Sequence, residues 1–137
     1  MIRVLIIDGQ GGRIGKMLAD RLIENENIEL TVVGTNSIAT SAMMKSGVSR
    51  AATGENPVVV LSRDADVIAG PVGIVLADSM LGEITEKMAC AVASSGAERV
   101  LIPIAKCKTT VAGVKSLSLT ELIDDAAAKI SQIADNA

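Results

Sequence analysis

The amino-terminal segment constrains the fold more than any other part of this chain. Residues 2–7 are apolar except for Arg3, which is typical of a strand buried on both faces of a parallel sheet. A glycine-rich segment, 8–15, follows directly, and apolar residues then recur at helical spacing. This order of strand, glycine turn and helix predicts the first βαβ unit of an α/β domain.

Strand and helix signals continue to alternate along the rest of the chain. Strands are predicted at 29–33, 67–69 and 100–104, with a short edge strand at 111–114. Helices are predicted from Asn36 or Ser37 to Gly47, from Thr85 to about Ser95, and after a capping box of Ser118 and Glu121.

The segment around Asn56 and Pro57 is ambiguous. This pair is typical of a helix cap and first turn, whereas the valines at 58–60 favour a strand. A short helix is preferred because it supplies the crossover that a parallel strand at 67–69 needs.

The alternation predicts one domain over residues 1–137, an α/β fold of three layers (α/β/α), Rossmann-like, with a mostly parallel sheet of about five strands. An apolar fraction of 49% is enough to build its core. The longest apolar stretch, 67–77, is too short and too broken to span a bilayer. No secretory pattern begins the chain, so we expect a cytoplasmic protein that does not bind membranes.

The composition argues against several other classes of function. A net charge of −3 gives the surface no general attraction for nucleic acid. The chain has no histidine, the commonest general base and metal ligand, and no metal site is expected. It also has no aromatic residue, so a bound base would lie between aliphatic side chains.

The two cysteines have neither a disulfide nor a metal spacing. Cys90 is predicted to lie in the core of a helical apolar face. Cys107 stands between Lys106 and Lys108, which favours the thiolate, but a passive loop residue is preferred because no histidine can act as its base.

The glycine turn has the spacing G-x-x-G-x-x-G through Gly9, Gly12 and Gly15. We expect a positive φ at Gly9, close approach of an anion to the backbone at Gly11 or Gly12, and tight helix–strand packing at Gly15. The residues expected to hold a phosphate are Gly9, Gln10, Gly11, Gly12, Arg13, Ile14 and Gly15. The alternative is a purely structural strand-to-helix turn.

Two standard phosphate-binding fingerprints fit less well. Ile14 stands where the last glycine of G-x-G-x-x-G belongs. Lys16 follows Gly15 as in a P-loop, but Met17 replaces the serine or threonine that binds magnesium, which argues against an ATPase.

The end of the second strand bears on the choice of cofactor. Dinucleotide-binding folds that prefer NAD place an acid there, whereas this chain has Thr35, Asn36 and Ser37 after Gly34. Their side chains can donate to a ribose 2′-phosphate, which puts NADP slightly ahead of NAD. A plain helix cap explains Asn36 or Ser37 equally well.

A second glycine-containing segment follows the predicted strand at 67–69. Gly70, Pro71 and Gly73 are expected to line the far half of a dinucleotide site, because ligands of open α/β sheets bind at the carboxyl edge. An ordinary turn is the alternative.

Two family resemblances add to these predictions. The glycine turn, 9–15, is similar to that of dihydrodipicolinate reductases, with Ile14 in place of their methionine, which implies binding of a nicotinamide cofactor but not their chemistry. The phrases at 7–12, 34–42, 53–56 and 78–84 resemble short bacterial proteins catalogued as a domain of unknown function, number three-eight-four-two. That resemblance implies a free-standing bacterial protein.

Together these features predict a nucleotide- or dinucleotide-binding protein of the NAD(P) type. One alternative is a small oxidoreductase whose site is completed by a second copy of the chain. The other is a non-enzymatic partner protein whose glycine turn is structural. A homo-oligomer is expected, and Met43, Met44 and Met80 are predicted to lie either in the core or in the subunit contact.

Overall fold

The computed structural model describes residues 1–104 and 108–137, in which strands and helices alternate. The strands are β1 (Ile2–Asp8), β2 (Ile28–Gly34), β3 (Arg50–Thr53), β4 (Val67–Pro71) and β5 (Glu98–Ile102). The helices are α1 (Arg13–Leu22), α2 (Ser37–Met44), α3 (Glu55–Leu61), α4 (Glu86–Ser94) and α5 (Leu119–Asp135). A short 3₁₀ helix spans Val72–Val75 between β4 and α4.

The five strands form one parallel sheet in the order β3-β2-β1-β4-β5. β1 therefore lies at the centre, where Ile6 is in register with Val32 of β2 and Ala69 of β4. The direction of winding reverses between β1 and β4, and such switch points are where open α/β sheets bind ligands. The predicted Rossmann-like fold is confirmed.

Helices cover both faces of the sheet. Val4 and Ile6 of β1 belong to the core cluster that includes Leu18 of α1 and Ile130 of α5. Leu5 of β1 belongs to a second cluster, on the faces of α3 and α4. Because β1 is buried on both sides, its sequence is apolar without alternation.

The predicted helix caps at the starts of three helices are confirmed. The Asn36 side chain accepts a hydrogen bond from the N–H of Ala39 at 2.9 Å and caps α2. Thr85 caps α4 by accepting from Met88 at 3.1 Å. The Ser118 hydroxyl likewise caps α5, accepting from the N–H of Glu121 at 3.2 Å. The Glu121 carboxylate accepts from the Ser118 hydroxyl rather than from its backbone N–H, so the predicted capping box is only half formed.

Some boundaries and one strand differ from the predictions. Residues 111–114 form a turn, with Val111 and Val114 exposed, so the predicted edge strand is wrong. The fifth strand is instead β3, whose sequence RAAT carries little strand propensity and gains its order from pairing with β2. The short helix after residue 54 is confirmed as α3, but Gly54 rather than Asn56 lies at its N-cap.

Within the described residues, no helix is both long enough and apolar enough to span a bilayer.

The cysteines and methionines only partly follow the predictions. Cys90 is exposed on α4, so its predicted core position is wrong. Met43 is fully buried and is therefore unavailable for a subunit contact, whereas Met44 is 45% exposed. Cys107 lies outside the described residues.

Candidate functional site

A cleft of about 810 Å³ opens at the carboxyl edge of the sheet, beside the switch point between β1 and β4. One wall is the glycine turn, residues 8–14. The others are Pro71 and Gly73 after β4, the segment 78–81, and the apolar side chains of Ile104 and Leu119. Its volume is in the range of pockets that hold small molecules.

A smaller cavity of about 300 Å³ lies at the opposite, amino edge of the sheet. Its charged groups neutralise one another, because Glu29 lies within 4.0 Å of Arg3 and 3.3 Å of Arg50. The carboxyl-edge cleft is the better candidate, since parallel sheets bind their ligands at that edge.

The glycines of the turn have different structural roles. The left-handed φ angles occur at Gln10 (48°) and Gly12 (72°), so the positive φ predicted at Gly9 is wrong. Gly9 is needed for packing instead, because a Cβ there would lie 2.6 Å from Met80 Sδ and 2.7 Å from Thr35 Oγ1.

Gly12 and Gly15 bring α1 close to its neighbours. A Cβ on Gly12 would lie 2.7 Å from the carbonyl oxygen of Ala39, and one on Gly15 would overlap Met43 Sδ. The tight packing predicted at Gly15 is thus confirmed. Gly11 is the exception, because a Cβ there meets no atom within 4 Å.

Two backbone donors at the start of α1 and in the turn before it belong to residues that line the cleft. Within the described residues, the backbone N–H groups of Gly11 and Arg13 have no acceptor. The positive end of the helix dipole lies at the same place, and the exposed side chain of Arg13 forms no ion pair within the described part of the chain. Donors, dipole and cation together favour an anion.

A buried carboxylate lies behind the turn. Asp8 is only 4% exposed, and its two oxygens accept hydrogen bonds from Gly9 at 2.8 Å and Gly15 at 2.7 Å. Burial raises the pKa of Asp8, and the charge of Glu83 adds to the rise, although the backbone hydrogen bonds oppose it. Asp8 therefore holds the turn against α1.

A second carboxylate, Glu83, reaches the turn from the segment that follows β4. Its Oε1 accepts from the N–H of Gln10 at 2.9 Å, the hydroxyl of Thr35 at 2.5 Å and the amide of Asn36 at 2.7 Å. Burial opposes ionisation, but these hydrogen bonds prevail and lower the pKa of Glu83 below its ordinary value. Sequence reasoning missed this residue because it sought an acid only at the end of β2.

The segment 78–83 has an unusual backbone. Asp78, Met80 and Leu81 all have left-handed φ angles, between 56° and 65°. The Ser79 hydroxyl fixes the segment by donating to the carbonyl of Gly73 at 2.6 Å, and Leu81 is 98% exposed at the mouth of the cleft. Strained backbone of this kind persists only where surrounding contacts hold it.

The other predicted site residues divide into two groups. Pro71 and Gly73 line the cleft with the glycine turn, whereas Gly70 packs against β1, where a Cβ would overlap the carbonyl oxygen of Ile7. The residues predicted to meet a ribose, Thr35, Asn36 and Ser37, do not line the cleft. Thr35 and Asn36 bond to Glu83 instead, and Asn36 also caps α2.

The described residues contain no group of three or more acidic, cysteine or histidine side chains that could hold a metal ion.

One family model, described as Domain of unknown function (DUF3842), matches residues 3–135. No curated protein matches the chain. The family match covers every residue that lines the cleft, from Asp8 to Leu119, and it also covers Glu83.

Proposed function

The chain belongs to the DUF3842 family, and we propose that it binds a nucleotide or dinucleotide with a phosphate at the glycine turn. One observation carries this proposal. Among the described residues, the N–H groups of Gly11 and Arg13 have no acceptor, and both residues border a cleft of about 810 Å³ in which Gly11 leaves open space.

The electrostatics of the turn and its open access to the cleft both support this position for the phosphate. Two free backbone donors, the helix dipole of α1 and the Arg13 guanidinium favour a negative group. The Asp8 carboxylate opposes it, but both oxygens of Asp8 are turned to the N–H groups of Gly9 and Gly15. An anion in the cleft would therefore contact the N–H groups of Gly11 and Arg13, while the buried Asp8 carboxylate lies behind the turn.

The rest of the ligand has an apolar surface to contact. Pro71, Met80, Ile104 and Leu119 line the cleft away from the phosphate position. A base or nicotinamide ring would lie between these aliphatic side chains, since the sequence holds no aromatic residue. The apolar lining with a few polar groups at one end is typical of cofactor sites.

A structural role for the turn is the second candidate, and a specific observation favours it. The protein's own carboxylates already satisfy three N–H groups of the turn, those of Gly9, Gly15 and Gln10. A turn held in this way is stable without a ligand. A nucleotide-binding turn and a purely structural turn are distinguished by whether the protein binds any nucleotide.

The test is a titration of NADH and NADPH by cofactor fluorescence, with ADP measured by calorimetry. The informative variant is Gly11→Asp, which puts a carboxylate at the proposed phosphate position without meeting any atom within 4 Å. Gly96→Asp is the matched control, because Gly96 is equally unhindered and lies in the turn before β5, away from the cleft.

We expect saturable binding that Gly11→Asp weakens at least about tenfold, or about 1.4 kcal/mol, and that Gly96→Asp leaves unchanged. Absence of binding at millimolar nucleotide would favour the structural turn. Equal affinity of Gly11→Asp and the original protein would place the ligand elsewhere and refute the proposal.

A further inference from the structure

The carboxylate of Glu83 lies at the tip of β2, although Glu83 belongs to the segment after β4. Thr35 and Asn36, which follow β2 directly, both donate hydrogen bonds to its Oε1. The N–H of Gln10, in the turn after β1, donates to the same oxygen. The acid is thus fixed between the ends of the two strands that bind the adenosine half in dinucleotide-binding folds.

In those folds an acid at the end of β2 accepts hydrogen bonds from the ribose hydroxyls. Here β2 ends in Gly34 and is followed by Thr35, Asn36 and Ser37, none of which is acidic. Glu83 supplies the missing chemical group at that place from a different part of the chain.

We propose that Glu83 is the ribose-binding residue of this site and selects nucleotides with a free 2′-hydroxyl, NAD(H) over NADP(H). This inference rests on the proposed function, since it assumes that a nucleotide phosphate binds at the glycine turn.

The second carboxylate oxygen is available for this role. The three hydrogen bonds within the protein all use Oε1, and no described residue bonds to Oε2. The side chain is only partly buried, so a ribose can reach it. Glu83 does not itself line the cleft, but its hydrogen-bond partner Gln10 does. Contact with the glycine turn is close, because a Cβ on Gly9 would lie 3.1 Å from Oε1.

Charge determines which nucleotide is favoured. The hydrogen bonds at Oε1 keep Glu83 ionised at neutral pH, and no described cation forms an ion pair with it. A ribose 2′-phosphate would meet this negative charge, whereas a hydroxyl would donate to it. The order inferred from the polar residues after β2, NADP ahead of NAD, is therefore reversed in this proposal.

The experiment compares dissociation constants of NADH and NADPH, and of ADP and 2′-deoxy-ADP, for the original protein and Glu83→Gln. Glutamine keeps the length of the side chain and an oxygen that accepts from Gln10, and circular dichroism checks the fold. Glu86→Gln is the control for loss of one negative charge, because Glu86 is exposed on α4 and does not line the cleft.

We expect the original protein and Glu86→Gln to bind NADH at least about tenfold more tightly than NADPH, which corresponds to about 1.4 kcal/mol. Glu83→Gln should reduce this ratio severalfold and should lose most of the preference for ADP over 2′-deoxy-ADP. If Glu83→Gln does not fold, the two preferences of the original protein still decide the question.

The inference is overturned if the protein without substitutions prefers NADPH to NADH, or if it binds ADP and 2′-deoxy-ADP with equal affinity. The same holds if Glu83→Gln folds and keeps both preferences. These results leave the proposed function intact where Gly11→Asp still weakens nucleotide binding. If no nucleotide binds to any of the proteins, the proposed function fails and the inference fails with it.

Discussion

Glu83 and Gln10 are joined by a 2.9 Å hydrogen bond between a carboxylate oxygen and a backbone N–H, although 73 positions separate them in the sequence. The bond connects the segment after β4 to the turn after β1, across the switch point of the sheet. Met80 lies over Gly9 in the same contact region. The segment after β4 and the turn after β1 are therefore in direct contact, and we expect a change in one to affect the other.

Substitution of Gly9 tests this coupling directly. A methyl group at residue 9 would lie 2.6 Å from Met80 Sδ and 2.7 Å from Thr35 Oγ1, so one of them must move. We expect Gly9→Ala to lower the free energy of unfolding by about 1–3 kcal/mol, as overpacking usually does. Urea unfolding followed by circular dichroism measures the change.

Gly11→Ala is the matched control in the same turn. Its new methyl group meets no atom within 4 Å, and the φ of Gly11 is outside the left-handed region. We expect it to leave stability unchanged or to raise it by up to about 1 kcal/mol, through lower entropy of the unfolded chain. Equal destabilisation by both variants would show that Gly9 is not specially packed.

The pH dependence of stability should reveal the interactions of Glu83. Its pKa in the folded protein is depressed below the ordinary 4.5, so the unfolded state binds more protons between the two values. The stabilisation is therefore fully present at neutral pH and is lost as the pH falls through the folded-state pKa. We expect the stability advantage over Glu83→Gln to shrink below pH 4.5.

The neighbouring Asp8 has the opposite pH dependence. Burial raises its pKa, so its contribution to stability falls as the pH rises above 3.8. Asp8 is present in both proteins, so the effect of its burial cancels in the difference between the original protein and Glu83→Gln, and only the part of the raised Asp8 pKa that the charge of Glu83 causes remains. Urea unfolding at several pH values from 7 to 3 gives this difference, and a constant value throughout would contradict the assigned hydrogen bonds.

Thr85 lies between the segment 78–83 and α4, at the N-cap of that helix. Its hydroxyl accepts from the N–H of Met88 at 3.1 Å and donates to Glu55 of α3 at 2.6 Å. Thr85→Ala removes the cap and should cost about 0.5–2 kcal/mol of unfolding free energy, whereas Thr85→Ser should retain most of it. The same urea measurement applies, and equal losses for the two variants would exclude the cap as the cause.

The parts of the fold that were predictable are those with a local physical signature. β1 is apolar without alternation because both faces are buried, and Asn36, Thr85 and Ser118 are good N-caps at any position that begins a helix. β3 has no such signature, since its order comes from pairing with β2 at the edge of the sheet.

The candidate site shows the same division. The glycine turn was predicted because its spacing is a local pattern. The left-handed backbone, however, occurs at Gln10 and Gly12 and not at Gly9. Glu83 was not predicted, because its contacts with Gln10, Thr35 and Asn36 span 47 to 73 positions of the chain. Contacts at that separation depend on the order of strands in the sheet, which no local pattern specifies.

Arg13 allows a last test of the proposed phosphate position. Its guanidinium borders the cleft without an ion pair in the described part of the chain, whereas Lys16, one turn further along α1, is paired with Asp20 at 2.8 Å. Arg13→Gln should therefore weaken ADP binding by about 1.5 kcal/mol, or roughly tenfold, because a charge-assisted hydrogen bond is lost. Lys16→Gln makes the same change of charge on the same helix and should have little effect.

Calorimetric titration of ADP at two salt concentrations tests whether Arg13 contacts the ligand directly. A direct contact makes the affinity of the original protein fall with salt more steeply than the affinity of Arg13→Gln. Equal losses for the two variants would mean that only the overall charge of α1 matters, and would remove Arg13 from the site.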